Sequence, residues 1–271
     1  MAGRPDRRGG VPAPDQALWP RATATPWRCA FWLGALWPLL WLQARHVRRV
    51  VPKLAEPPGR RKGSAGTGLP LRLLVAGDSG AAAVGVSAQS DGLCGQLVRA
   101  LSPHHRVHWC VQASNGLDSA GLMKRLQDMP GAAFDVVVLS MGANDATRLQ
   151  LPVGWALRQS AVAQLIAQRF KPRLLMHSAV PPMHACRALP QPLRWFMGMW
   201  ARQMNLALAA QLGVPGQRSM HWHPQQMLSA GMSQDHIHPN AAGYAAWAQV
   251  LATFILASTA AQAQAFTSNQ G

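Results

Sequence analysis

From Leu71 onward, short apolar runs alternate with stretches whose apolar residues recur every three or four positions. LRLLVAG (Leu71–Gly77), RVHWCVQA (Arg106–Ala113), FDVVVLSMG (Phe134–Gly142) and RLLMHSAV (Arg173–Val180) have the length and composition of buried strands. Residues 218–223 supply a fifth. Between them, DGLCGQLVRAL, SAGLMKRLQDM, WALRQSAVAQLIAQRF and PLRWFMGMWARQMNLALAAQL carry helical spacing, and NAAGYAAWAQVLATFIL predicts a last helix from Asn240. Strands alternating with helices imply parallel βαβ units. The expected fold is therefore α/β: a three-layer α/β/α sandwich with a central parallel five-stranded sheet, over residues 71–257. Such sheets collect their reagents outside the carboxyl ends of the strands.

The pattern breaks on both sides of this body. Residues 56–70, rich in Pro and Gly, have linker composition and mark the domain boundary. Residues 258–271 are small and polar and are expected to form a flexible tail. Upstream, CAFWLGALWPLLWL (residues 29–42) is a run of fourteen apolar residues interrupted by Pro38, shorter than the roughly 20 needed to span a bilayer. Trp32, Trp37 and Trp41 lie within it, and Arg45, Arg48, Arg49 and Lys53 follow. Tryptophans favour the headgroup level and arginines meet anionic lipid, so residues 28–55 read as a membrane-associating segment of a non-globular N-terminal extension. The alternative is a tryptophan-rich flap packed on the domain. Residues 1–27 are expected to be a disordered basic N-terminus.

Charge and cysteine usage sharpen this picture. The chain of 271 residues has a net charge of +16, and Met1 to Lys62 hold 12 Lys or Arg against 3 Asp or Glu. Such an excess attracts anionic surfaces without specificity and gives no motif for specific nucleic-acid recognition. At 49% hydrophobic and 13% charged residues, disorder is excluded for the body. Cys29, Cys94, Cys110 and Cys186 show no CxxC pairing, which argues against a zinc or disulfide framework. Free thiols fit a reducing compartment, and with the basic flank they place the body in the cytoplasm, peripheral at or anchored to the inner membrane face. No cofactor and no metal site is expected. HWHP (His221–Pro224) has metal-like spacing but no third ligand in view, so it reads as a surface loop.

The candidate chemistry falls at the predicted strand tips. Gly77-Asp78-Ser79 ends the first strand and Gly116 follows the second. Gly142-Ala143-Asn144-Asp145 ends the third, and Asp235-His236-Ile237-His238-Pro239 precedes the last helix. In this order and spacing the chain resembles the SGNH (GDSL-type) hydrolases, from Leu71 to about Leu256. Gly121 competes with Gly116 for the glycine block, and Gly80 departs from the residue that the family's name implies after the serine.

The resemblance implies an ester hydrolase with Ser79, Asp235 and His238 as catalytic residues. A serine hydroxyl needs a base to take its proton as it attacks, and an imidazole serves only if an acceptor fixes its tautomer. Three residues of separation let Asp235 turn back onto His238, leaving His236 as a rim residue. The resemblance also implies an oxyanion hole from the backbone N–H of Ser79, the backbone N–H of Gly116 and the side-chain amide of Asn144. Asp78 and Asp145 read as structural caps.

The expected substrate is a small-molecule or lipid carboxylic ester, cleaved through a Ser79 acyl-enzyme. Carbohydrate deacetylation on the same site is an alternative. A rival from another class is a non-catalytic anion- or phosphate-binding module built on the small-residue loop after Ser79. That loop, SGAAAVGV, promises room beside the nucleophile. Met183 and His184, in the long loop after the fourth strand, are candidates for the pocket wall. Trp195, Phe196, Met199 and Trp200 at helical spacing read as core more readily than as an acyl-binding lid.

Overall fold

The structure is a computed structural model that describes the backbone of residues 26–211, 218–222 and 230–268 and the side chains of residues 31, 34–211 and 230–260. The elements in chain order are α1 (Pro26–Val50), β1 (Lys62–Ala65), β2 (Pro70–Gly77), α2 (Leu93–Leu101), β3 (Arg106–Ala113) and α3 (Ser119–Asp128). There follow β4 (Val136–Ser140), α4 (Ala143–Thr147), α5 (Pro152–Phe170), β5 (Leu174–Ser178), α6 (Leu193–Gln211), β6 (Arg218–Trp222) and α7 (Ala241–Ser268). The sheet order is β1-β3-β2-β4-β5-β6. The five strands from β2 to β6 are parallel, with Leu73 opposite both Trp109 and Val136.

The expected three-layer sandwich with five parallel strands is therefore present. Every residue of β4 and β5 is buried, because helices cover both faces. On one face Leu73, Val75 and Val138 pack against Leu97 of α2 and Tyr244, Trp247 and Leu251 of α7. On the other Leu74, Val137 and Leu139 meet Leu126 of α3 and Val162, Ile166 and Phe170 of α5. Residues 241–260 are apolar enough to cross a membrane by length and composition, but Tyr244, Trp247, Leu251 and Ile255 are core residues of this domain.

Three features differ from the sequence reading. Within the 56–70 stretch of linker composition, Lys62–Ala65 forms an antiparallel edge strand on β3, with Gly63 opposite Trp109. A side chain at Gly63 would meet the Trp109 ring at 2.5 Å, so the pairing selects a residue without one. The stretch is also tied down: Glu56 accepts from the N–H of Asn115 (2.5 Å) and the hydroxyl of Ser114 (3.2 Å) and pairs with Arg61. Second, residues 258–268, expected to fray, continue α7, in keeping with the high helix propensity of an Ala- and Gln-rich stretch. Third, Pro38 does not interrupt the N-terminal apolar run, which is helical from Pro26 to Val50.

That helix packs on α6. Leu40 and Val47 are buried in a third cluster with Phe196, Trp200, Met204 and Trp155, flanked by Leu36, Ala44 and Val51. Phe196 and Trp200 stack with centroids 5.9 Å apart. Both are core side chains and not a lid, as their spacing suggests. The expected basic segment up to residue 25 lies outside the described residues, as do His223 and Pro224 of the HWHP motif.

Candidate active site

The strand order explains why three distant blocks converge. β2, the first parallel strand, lies between β3 and β4, so the chain leaves its tip to one side and later returns on the other. The loops after β2, β3 and β4 meet at this switch point, where an open α/β sheet forms its crevice. They carry Ser79, Gly116 and Asn144. The fourth block arrives from the loop before α7.

Ser79 Oγ lies 2.9 Å from His238 Nε2, and His238 Nδ1 lies 2.6 Å from Asp235 Oδ2. The loop around Asp235 is built to hold a charged carboxylate. Its Oδ1 accepts from the Ser233 hydroxyl (2.7 Å) and from the N–H groups of Ile237 (2.9 Å) and His238 (3.0 Å). Burial raises the cost of its charge, but the His238 ring, these two N–H groups and the Ser233 hydroxyl more than offset it and hold the carboxyl well below its ordinary range. His236 adopts a left-handed backbone (φ 54°) and is exposed, so the intervening residue turns out of the site. The Nδ1 contact with an ionised acid makes Nδ1 the protonated nitrogen, leaving Nε2 as acceptor toward the serine.

Two loops must touch for this to happen. Gly85, at φ +107°, lies where a Cβ would come within 2.4 Å of the Pro239 carbonyl and 3.0 Å of His238 Cβ. Glycine here lets the nucleophile loop close on the histidine loop. The small residues between, Ala81 to Val84, are buried in the core and do not open space for substrate, contrary to the sequence reading. Tyr244 locks the same loop by donating its hydroxyl to the Val84 carbonyl at 2.7 Å.

Gly116 has φ +76° and open space around the position of a Cβ, at the tip of the β3 loop. Gly121, the competing glycine, lies inside α3, and its N–H is taken by the N-capping carboxylate of Asp118 at 2.9 Å. Asn144 sits in α4, and its Nδ2 donates to the Leu117 carbonyl at 2.9 Å. An amide nitrogen carries two hydrogens, so one donor remains. That bond also ties the Asn144 and Gly116 loops together. Asp145 anchors the assembly from below by accepting from the Ser119 hydroxyl (2.9 Å) and N–H (3.3 Å). Asp78 accepts from the N–H of Gly80 (3.2 Å) and the hydroxyl of Ser140 (3.5 Å). Burial outweighs these bonds and the nearby His238, and pushes its carboxyl up to about 7.

A cavity of about 90 Å³ opens beside Ser79 and His238, walled by Pro181, Pro182, Met183, Cys186, Met232 and Ile237. Met183 thus lies on the pocket wall. His184 does not line it: its side chain packs on Gly198 of α6, where an added Cβ would meet His184 Cβ at 2.5 Å, and burial pushes its pKa down. Cys186, Met232 and Ile237 also line the cavity, a placement that no sequence pattern marks, since pocket walls are assembled from separate loops. A larger cavity, about 750 Å³, lies at the opposite end of the sheet, among the strand starts Leu71, Val136 and Leu174. Among the described residues no group of three or more His, Cys, Asp or Glu side chains is arranged to hold a metal ion.

Comparison with known proteins identifies the family and the fold. The model of the GDSL-like lipase/acylhydrolase family matches residues 75–246. The GDSL-like esterase Rv1075c of Mycobacterium tuberculosis is 28% identical over 232 residues, covering 77% of this chain and 73% of that one. Among solved structures, a carbohydrate esterase family 2 enzyme with its carbohydrate-binding domain, from Myceliophthora fergusii, superposes with a TM-score of 0.52 at 18% identity, covering 78% of this chain and 69% of that one. A variant of Axe2, an acetyl-xylooligosaccharide esterase from Geobacillus stearothermophilus, superposes with a TM-score of 0.50 at 16% identity, covering 69% and 93%. At these identities the two structures show a shared fold.

Proposed function

From the premise that this chain belongs to the GDSL-like lipase/acylhydrolase family and is an SGNH-type ester hydrolase, we propose that it cleaves carboxylic esters of short acyl groups through a Ser79 acyl-enzyme. The observation that carries the mechanism is the hydrogen-bonded chain Ser79–His238–Asp235, at 2.9 and 2.6 Å. Ser79 Oγ attacks the ester carbonyl carbon while His238 Nε2 takes the hydroxyl proton, and the ionised Asp235 stabilises the imidazolium that results. The carbonyl electrons collect on oxygen. Donors from Ser79 N–H, Gly116 N–H and Asn144 Nδ2 hold that oxyanion. Collapse breaks the bond to the alcohol oxygen, which leaves with the proton from His238. Water then attacks the acyl-serine, giving its proton to His238, and a second collapse releases the carboxylic acid and restores the Ser79 hydroxyl.

The preference for a short acyl group rests on the cavity. At about 90 Å³ it is a small space beside the nucleophile, which favours a short acyl group over a long chain. An acetyl ester of a carbohydrate fits the same space, so deacetylation remains a second reading favoured by the same observation. The rival phosphate-binding role for the Ser79 loop leaves the His238–Asp235 pair without work and falls with the family membership.

Two measurements test this. A fluorophosphonate should label Ser79 in the intact chain and fail to label Ser79→Ala; labelling that survives this substitution refutes the nucleophile. A p-nitrophenyl ester series should show kcat/KM highest between acetate and butyrate and falling for octanoate. A rate that rises through octanoate refutes the short-acyl assignment while leaving the esterase intact.

A further inference from the structure

We propose that the outward face of α1 is a docking surface for an anionic lipid bilayer. The helix has two distinct sides. Leu36, Leu40, Ala44, Val47 and Val51 recur at helical spacing and pack toward α6. The neighbouring stripe, about 100° round the helix, runs Trp37, Trp41, Arg45 and Arg48, at i, i+4, i+8 and i+11. Trp37 is 48% and Trp41 46% exposed, with Leu39 and Leu42 exposed beside them. Among the described residues none buries this face.

The stripe is graded along its length. Its N-terminal half is aromatic and aliphatic, and its C-terminal half carries Arg45, Arg48 and Arg49, with Lys53 just beyond. At about 1.5 Å per residue, Trp37 and Arg48 stand roughly 16 Å apart along the axis. Arg45 folds its guanidinium over the Trp41 ring, 5.6 Å from the centroid, at the junction of the two halves. Tryptophan beside arginine on a solvent-facing helix suits the boundary between acyl chains and headgroups. The charge selects an anionic surface over a neutral one, with the chain as a whole at +16. The C-terminal half is too highly charged to span, so the helix lies in the interface with its inner stripe still on α6.

This face is joined to the active-site rim. The Gln43 amide donates to the Gln191 carbonyl (2.6 Å) and accepts from the Leu193 N–H (3.0 Å), clamping the start of α6 just after the loop that walls the pocket. The chain leaving α1 then offers the Leu54 carbonyl to Asn115 Nδ2 at 3.0 Å, in the Gly116 loop. Both attachments lie at the sheet end that bears Ser79. The docking itself does not depend on the esterase reading.

The test uses the full chain and co-sedimentation with vesicles of phosphatidylcholine alone or mixed with phosphatidylglycerol. Binding should be to the mixed vesicles and should weaken with salt. Arg45→Gln/Arg48→Gln should lower the partition coefficient roughly twentyfold, and Trp37→Ser/Trp41→Ser about tenfold or more. Hydrolysis of soluble p-nitrophenyl acetate should stay unchanged in both, which confirms folding and separates docking from catalysis. Arg106→Gln/Arg173→Gln, which removes the same charge from the opposite end of the sheet, should leave binding within about threefold of the parent. Equal losses in that control, equal binding to neutral vesicles, or no binding to either vesicle would overturn the proposal. So would a tryptophan pair whose substitution changes the oligomeric state and not lipid binding.

Discussion

Asp78, next to the nucleophile, gives the sharpest quantitative test of the site's interior. It is buried, and burial lifts its carboxyl from 3.8 to about 7 despite the bonds from Gly80 and Ser140. In the unfolded chain the group ionises near 3.8, so between these values the native state holds a proton that the unfolded state has released. Stability must then fall as pH rises through this window, at about 1.4 kcal/mol per pH unit. Over a gap of about three units, Asp78 costs about 4 kcal/mol above pH 7 and nothing below about pH 4. Asp78→Asn removes the titration with little change of shape. Both native bonds run to the same oxygen, Oδ1, and an asparagine Oδ1 can accept both. Urea denaturation of parent and variant from about pH 4.5 to pH 8 should show the variant gaining on the parent by about 3 kcal/mol across the range. Any fixed penalty for the new NH2 group shifts all points equally and leaves this slope intact. A stability gap that stays constant within about 1 kcal/mol from end to end would refute the reasoning, since it would mean that Asp78 does not titrate in this window.

The remaining predictions concern turnover. Asn144→Ala should lower kcat for p-nitrophenyl acetate about a hundredfold to a thousandfold with little change in KM; a loss under about threefold would remove Asn144 from the oxyanion hole. Asp235→Asn should cost about ten-thousandfold in kcat by favouring the wrong His238 tautomer, and should lower the urea midpoint at neutral pH, because the folded loop holds the ionised carboxylate below its ordinary range. Gly85→Ala should destabilise by about 1–3 kcal/mol and lower kcat, because the new Cβ falls 2.4 Å from the Pro239 carbonyl and forces the two catalytic loops apart. Glu56→Gln should reduce kcat severalfold while sparing KM, with glutamine too weak an acceptor to hold the Gly116 loop as the carboxylate does; an unchanged kcat would show that the loop needs no such tie.

How far the sequence discloses this molecule depends on whether a feature is local. The parallel strands are legible because each is a buried apolar run, and the strand tips follow from the alternation. The pairing of Asp235 with His238 over His236 is legible because three residues of a tight loop fix which ring can return to the acid. Features set by a distant partner are not. Lys62–Ala65 has no strand signature, and only the Trp109 face of β3 makes a glycine-containing edge strand there favourable. The alanines after Ser79 look like open space in one dimension but are filled in three, because α2 and α7 close over them. His184 and Met183 are neighbours in sequence, yet a single turn sends one to the α6 interface and the other to the pocket.

The N-terminal region, which lies outside the matched residues 75–246, shows how such a family domain can be conditioned from without. Through Gln43 it holds the loop that leads from the acyl pocket into α6, and through Leu54 and Glu56 it holds the loop that presents Gly116. These two loops form separate walls of one cleft. The Gly116 loop is held in addition by the motif residue Asn144, whose Nδ2 donates to the Leu117 carbonyl, so the N-terminal region supplements that bond. Burial opposes the charge on Glu56, but the Asn115 N–H, Arg61 and the Ser114 hydroxyl lower its pKa, so the brace on the Gly116 loop is an ionised one across the neutral range. A displacement of α1 would therefore reach the pocket wall and the Gly116 loop before it reached Ser79, whose own loop is held by Gly85 and Tyr244 in the core. It follows that removing α1 and its strap should lower turnover without erasing the hydrogen-bonded Ser79–His238–Asp235 chain, and that the two contributions can be separated by comparing covalent labelling of Ser79 with steady-state hydrolysis.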